Sequence, residues 1–356
     1  SSSSSSSSSF VPSGSSDDYR QGLDVLVKCG AHLDMIATKF TVTVEACAAQ
    51  GDSNSAWASS LCKSVDVSCE NLVSSCLVAS ACSHGVFLRK QVLKSGEAIV
   101  GALEAQLKCA VQRLEQGARA SDKVKKQLVV LTGQVASACN QLKRIPKSNK
   151  GYLKRMILEA YKQSLDIANE QKEMIEDSEE SPRVDDMEEG GGGGALAGSA
   201  GGGDDPFGDD FLDYDFSLSA SEIVRSRKCL VLMTHGSEFL KAIAKAVGSG
   251  MKTDACSPDA VAAVDNGCFA ATHFGTALNE LGVSLCPPQM NANVQSSTEE
   301  LLTSAGALGD ALTAMLTSTT AEEKSIVATS VPTPLQNVAT GLAKLRLAAA
   351  EIHLLS

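Results

Sequence analysis

Residues 176–215 read EDSEESPRVDDMEEGGGGGALAGSAGGGDDPFGDDFLDYD, and this stretch divides the chain. It carries 14 of the 42 acidic residues and a single basic residue, Arg183. The rest of the chain holds 28 acids and 30 bases, so the net charge of −11 originates here. Glycine runs at 190–194 and 201–203 add conformational freedom. This composition cannot bury an apolar face, and it predicts a disordered, acidic, Gly-rich linker.

The sequence on both sides of the linker has helical spacing. Apolar residues recur at alternating steps of three and four, as in Leu23, Leu26, Gly30 and Leu33, and no stretch sustains a two-residue alternation. We therefore predict an all-α protein with two up-and-down helical bundles, of about five and four long helices. The predicted domains are a disordered Ser-rich N-terminus at 1–16, a bundle at 17–177, the linker at 178–218 and a bundle at 219–356.

The third predicted helix carries apolar residues at strict intervals of seven. They are Val86, Leu93, Val100, Leu107 and Leu114. This pattern is compatible with a leucine zipper that pairs with a partner, or with a buried seam inside the bundle. Gly96, Gly101 and the four neighbouring helices favour the buried seam, which is our expectation.

The chain has few features of an enzyme or a metal protein. The motifs GxSxG, HExxH and GxxxxGK[ST] do not occur, and the five histidines are scattered. We expect no catalytic activity, cofactor or metal site. Of the 12 cysteines, Cys62, Cys69 and Cys76 recur every seven residues, and no CxxC occurs. This placement predicts reduced cysteines that line the cores.

Charge and hydropathy argue against nucleic acid and membrane partners. Residues 17–175 carry a net charge near +5 and residues 216–356 one near −3, which is far from the charge of a nucleic-acid-binding protein. The best membrane-span candidate, 229–247, is interrupted by His235, Glu238, Lys241 and Lys245, so we expect no membrane span.

Five short stretches, taken in order, resemble one protein family. They are Leu88–Val92 with Ala98–Gly101, Cys139–Leu142 leading to Ile145–Lys150, the acidic gap, Cys229–Leu232, and Leu285–Pro288. Together they resemble the cyclin-D-binding family, also called Grap-and-cyclin-D-interacting proteins, over roughly residues 20–355. The resemblance implies an all-helical, two-domain protein of cytoplasm and nucleus. It would bind a D-type cyclin or sequester a helix-loop-helix protein, and so restrain cell-cycle progression and transcription.

Two charged sets are the candidate partner-binding residues. The acidic set is Glu179, Glu180, Asp185, Asp186, Glu188 and Glu189, and the basic set is Lys143, Arg144, Lys147 and Lys150. Ser181, which precedes Pro182, is a candidate phosphorylation site that would add charge to the linker. An alternative function is that of an adaptor similar to the helical bundles of talin and vinculin, with a cytoskeletal or adhesion partner.

Overall fold

The computed structural model describes residues 16–50, 55–83, 85–180, 217–250, 258–322 and 332–354. Every α-helix and short 3-10 turn in this part of the chain fits the predicted all-α class, and no strand occurs in it. The α-helices are α1 (Ser16–Gln50), α2 (Ser55–Cys82), α3 (Val86–Gln116), α4 (Asp122–Gln141), α5 (Asn149–Glu180), α6 (Ala220–Gly250), α7 (Pro258–Ser284), α8 (Asn291–Glu322) and α9 (Pro332–His353). Helices lie on both sides of residues 181–216 as predicted, and most of the predicted linker lies outside the described residues.

The chain forms two compact units. The described residues of the first unit lie within 1–156, 247–268 and 311–328, and those of the second lie within 157–246, 269–310 and 329–356. Most of α5 thus belongs to the second unit. The predicted domain boundaries at 177 and 219 say which parts of the chain fold independently. The division into two compact units does not test independent folding, so these boundaries stay predictions.

The first unit is built around helices α1 to α4. Leu26, Leu33, Leu72, Ile99 and Leu128 are among its fully buried side chains. The α1 residues that the three-four spacing identified, such as Leu26 and Leu33, therefore do face the core. A Cβ added at Gly96 of α3 would lie 2.7 Å from Cys76 Sγ of α2, so the small residue permits the close approach of these two helices.

The second unit buries larger side chains between α6 and α7. The rings of Phe239 and Phe274 are both fully buried, and their centroids lie 5.8 Å apart. At the start of α6, Ser219 N–H donates to Glu222 Oε2 at 2.9 Å, and Glu222 N–H donates to Ser219 Oγ at 3.4 Å. This reciprocal pair is a capping box, and it satisfies donors that a helix start leaves open.

Eleven cysteines lie in the described ranges, and none of these eleven forms a disulfide. Burial raises the pKa of Cys76 to about 11 and that of Cys139 to about 12, which disfavours the reactive thiolate. Cys62 and Cys286 are exposed, so the prediction that the cysteines line the cores is wrong for these two.

One segment in the described part of the chain, Ser59–Cys82, is long and apolar enough to cross a membrane by length and composition. A third of it is buried in the structure. Ser59–Cys82, and not the candidate 229–247, meets this criterion, so the choice of the best candidate was wrong, while the expectation of no membrane span stays a prediction. Core helices of soluble bundles pass the same test, and Leu72 and Ala79 of this segment are fully buried in the first unit.

Candidate protein-interaction surfaces

The core side of α3 follows a three-four spacing and includes two polar residues. The buried positions are Leu88, Val92, Gly96, Ile99, Leu103, Gln106, Cys109, Ala110 and Arg113. This line keeps to one side of the helix because its steps average close to the 3.6 residues of a helical turn.

The strict heptad of α3 lies beside this core side. Val86, Val100 and Leu114 are exposed, with Val100 at 41%, whereas Leu93 and Leu107 are only half-buried. The predicted buried seam is therefore wrong. Leu93, Val100, Leu107 and Leu114 each directly follow a buried residue of α3, so each is turned about 100° away from the core side. We call these five residues the heptad stripe.

A carboxylate from a distant part of the sequence holds the start of α3. Val86 N–H donates to Asp265 Oδ2 of α7 at 2.9 Å. Desolvation by burial raises the pKa of Asp265, while the hydrogen bonds from the Val86 and Phe87 N–H groups oppose that rise. A Cβ at Gly85 would lie 2.6 Å from Asn149 Oδ1, so a larger residue there would displace the Asn149 side chain. Asp265 thus serves α3 as a helix cap that the local sequence lacks.

A buried polar layer crosses the first unit at the level of Gln106. Its Nε2 lies 3.0 Å from Ala37 O, 2.8 Å from Thr41 Oγ1 and 3.0 Å from Thr132 Oγ1. The two threonine hydroxyls are also 2.6 Å apart. Gln106 Oε1, in contrast, is buried without a hydrogen-bond partner among the described residues.

An ion pair lies about two turns further along α3. The Arg113 guanidinium is almost fully buried and binds Glu45 of α1 through Nε and Nη2, both at 3.0 Å from the nearer carboxylate oxygen. Arg113 Nη1 also donates to Gly117 O at the end of α3. The planar guanidinium therefore joins two helices and closes the end of α3.

The predicted basic set surrounds the α4–α5 turn. Lys143 donates to Asn140 Oδ1 at 2.7 Å, Lys147 pairs with Asp24 at 3.0 Å, and Lys150 donates to Gly248 O at 3.1 Å. Arg144 is exposed. The structure brings these four together, and two of them hold neighbouring segments in place.

The predicted acidic set is only partly described. Glu179 and Glu180 are exposed on the last turn of α5, and Glu179 pairs with Arg227 of α6. Asp185, Asp186, Glu188, Glu189 and Ser181 lie outside the described residues. Lys150 and Glu179 are near opposite ends of the 32-residue helix α5, so the described members of the two sets do not form one cluster.

Sequence reasoning missed a partly buried contact between Glu222 and Gln289 in the second unit. Glu222 Oε1 accepts from Gln289 N–H at 2.5 Å, and Gln289 Nε2 donates to Ser226 Oγ at 2.7 Å. The capping-box pattern located Glu222, but nothing local indicated its second bond. In the described ranges, no three His, Cys, Asp or Glu side chains are placed to hold a metal ion.

The described surfaces are those of a helical protein with an apolar stripe and charged patches. Residues 25–177 match the family model described as Grap2 and cyclin-D-interacting, N-terminal. This region contains the heptad stripe, the buried polar layer and the basic set. Comparison with curated proteins gives no match. The family-model match covers 153 of the chain's 356 residues, and over this part the chain is similar to the N-terminal domain of Grap2- and cyclin-D-interacting proteins.

Proposed function

We propose that this protein is a non-enzymatic regulator that binds a D-type cyclin or a helix-loop-helix protein. By sequestering that partner, it would restrain cell-cycle progression or transcription, in cytoplasm and nucleus. The name of the matched family supports a cyclin partner, and the all-helical fold suits binding rather than catalysis.

The heptad stripe is the observation that carries the proposal. Three of its five residues are exposed, and Val111 on the same helix is exposed as well. Apolar residues at helical spacing are the usual anchors for a partner helix or groove. Because the stripe lies beside the core side of α3, a partner could bind it without opening the bundle.

A titration of the purified chain against a purified D-type cyclin tests the proposal. We expect micromolar or tighter binding, and Val100→Glu should weaken it about tenfold or more, as for a central interface residue. Val129→Glu on α4 is the matched control, because Val129 is exposed and lies off the stripe. Circular dichroism should show the same helical content in both variants.

Two results would contradict the proposal. Absence of binding to the cyclin and to a helix-loop-helix protein would remove the proposed partners. Equal binding by the Val100→Glu and Val129→Glu variants would leave the partner in place but remove the stripe as its site. A phosphomimetic Ser181→Glu variant, titrated in parallel, measures whether added charge in the linker changes the affinity.

A further inference from the structure

The last part of the predicted acidic linker, which we call the acidic segment from here on, is rich in aromatic residues. Residues 204–216 read DDPFGDDFLDYDF, with six aspartates and no basic residue. Its aromatic residues, Phe207, Phe211, Tyr214 and Phe216, stand out in a chain with only 9 Phe, 4 Tyr and 1 Trp. Alternation of acids with large apolar residues is typical of segments that bind an apolar surface bordered by positive charge.

The chain after this segment is fixed in the second unit. Leu218 is fully buried beside Ile175 and Ile223, and its N–H donates to Ser178 Oγ of α5 at 2.9 Å. Helix α6 begins two residues later, at Ala220. Residues 204–216 are thus joined directly to a fixed point at the start of α6.

Exposed apolar side chains follow neighbouring lines on α6 and α9. They are Val224, Val231, Leu347 and Leu354, which we call the α6–α9 groove, with Leu347 at 69% and Leu354 at 84% exposure. Val224 and Val231 lie on α6 and Leu347 lies on α9, whereas Leu354 directly follows the end of α9 at His353. The residues of each pair are seven apart, so they lie on one side of their helix.

Two polar contacts place these lines next to each other. Lys228 Nζ donates to Glu351 O at 3.2 Å, and Lys344 Nζ lies 3.4 Å from Glu238 Oε2. Lys228 falls between Val224 and Val231 on α6, and Glu351 of α9 falls between Leu347 and Leu354. The apolar residues therefore line the junction of the two helices.

The positive charge of the second unit is concentrated on the same two helices. Helix α6 carries five basic and two acidic residues, and α9 carries two basic residues and one acidic residue. Helices α7 and α8 have no Lys or Arg, and α5 from residue 157 onward has two bases against eight acids. An acidic ligand is thus attracted to α6 and α9 and repelled by the other helices.

We propose that the α6–α9 groove binds the chain's own segment Asp204–Phe216. The charges are opposite, the aromatic side chains match an apolar groove, and only residues 217–223 separate the segment from Val224. Thirteen residues reach about 40 Å when extended, which exceeds the roughly 10 Å between Val224 and Val231 along α6. Covalent attachment also gives the segment a high effective concentration at the groove.

The test uses the full-length chain with Phe207, Phe211, Tyr214 and Phe216 changed to serine. This variant keeps the length and charge of the segment but removes its anchors. A fluorescein-labelled peptide of residues 203–217 is titrated against it, and anisotropy is measured. We expect saturable binding, which weakens as salt rises, and an apparent affinity about tenfold lower for the unsubstituted chain, whose groove is occupied.

A matched pair of variants then locates the site. In the four-serine background, Leu347→Asp should abolish peptide binding, whereas Val283→Asp on α7, also at an exposed residue, should leave it unchanged. Both variants should keep the helical circular dichroism signal. Absence of peptide binding, or equal binding by both variants, would overturn the proposal. So would a concentration-dependent dimer that Leu347→Asp dissociates, because a second copy would then occupy the groove.

Discussion

At Gln106, the two ends of one buried amide have unequal surroundings. Its Nε2 lies within 3.0 Å of three oxygens, whereas its Oε1 has no hydrogen-bond partner in the described part of the chain. A buried acceptor without a partner costs about 1–3 kcal/mol, which offsets much of what the bonds from Nε2 contribute. The layer is therefore better suited to fixing helix register than to adding stability.

We expect Gln106→Met to stabilise the protein by about 1 kcal/mol. Methionine has a similar length and removes the unsatisfied oxygen, and the Thr41 and Thr132 hydroxyls keep their mutual bond. Chemical denaturation followed by circular dichroism measures the free energy of unfolding.

Gln106→Ala is the control, because it removes the same polar atoms but leaves a cavity. It should destabilise the protein by about 2 kcal/mol. If Gln106→Met destabilises as much as Gln106→Ala, the amide bonds outweigh the unsatisfied oxygen, and our account of this layer is wrong.

At the scale of elements, the helices follow from local sequence. Pro258 starts α7, since proline suits a first helical turn, and Pro287-Pro288 comes just after its end at Ser284. Such signals act over a few residues, so they are visible without a structure. The three-four spacing likewise identified the buried side of α1, because nearly all of its buried residues are apolar and Thr41 is the exception.

The buried side of α3 could not be read in the same way. The buried residues of α3 include Gln106 and Arg113, which a search for apolar spacing does not select. The same search selects the heptad stripe, because all five of its residues are apolar. The partners of the two polar residues, such as Glu45 and Thr41, are more than 60 residues away in sequence. Polar core residues are recognised only when those partners are in place.

Two adjacent residues of α3 test which side is buried. Ile99→Asp should destabilise the protein by about 3–5 kcal/mol, because an unpaired charge enters a fully buried position. Val100→Asp should change the free energy of unfolding by less than about 1 kcal/mol. Thermal melts followed by circular dichroism compare the two variants, and similar losses in both would mean that the stripe is part of the core.

At the scale of the whole molecule, the acidic segment has fastened ends. Ser178 and Leu218, the first and last residues of the predicted linker, share a hydrogen bond, and the Glu179–Arg227 ion pair lies beside them. The sequence predicted a linker from its charge and glycine content. It could not predict that the two ends meet, because that contact depends on how α5 and α6 pack.

Replacing residues 183–214 by a four-residue Gly/Ser loop should leave the fold intact. The Ser178–Leu218 contact and the buried Leu218 remain, so the new loop has only a short gap to close. The helical circular dichroism signal should be unchanged, and unfolding should stay cooperative.

Leu218→Ala in the full-length chain is the complementary variant. It removes a fully buried side chain and should lower the free energy of unfolding by about 2–4 kcal/mol. The opposite result would contradict this account: the loop replacement unfolds the protein and Leu218→Ala has no effect. The fold would then depend on residues 183–214 and not on the contact between Ser178 and Leu218.

Only some of the candidate site residues could be predicted from sequence, because the others depend on contacts between distant parts of the chain. The basic set was identified from sequence because Lys143, Arg144, Lys147 and Lys150 are near neighbours in the chain. Asp265 was not, since it is 179 residues from the Val86 N–H that it caps. Short-range patterns identify surfaces, whereas long-range contacts decide how those surfaces are held.

The contact between Ser178 and Leu218 at the two ends of the acidic segment affects how this chain can change in evolution. Once the ends of a loop are held by the fold, doubling its length costs only about 0.6 kcal/mol. Glycine runs such as Gly190–Gly194 can therefore grow or shrink through replication errors with little selection from stability. Relatives should differ most in the length of this segment, while the positions equivalent to Ser178 and Leu218 stay under constraint.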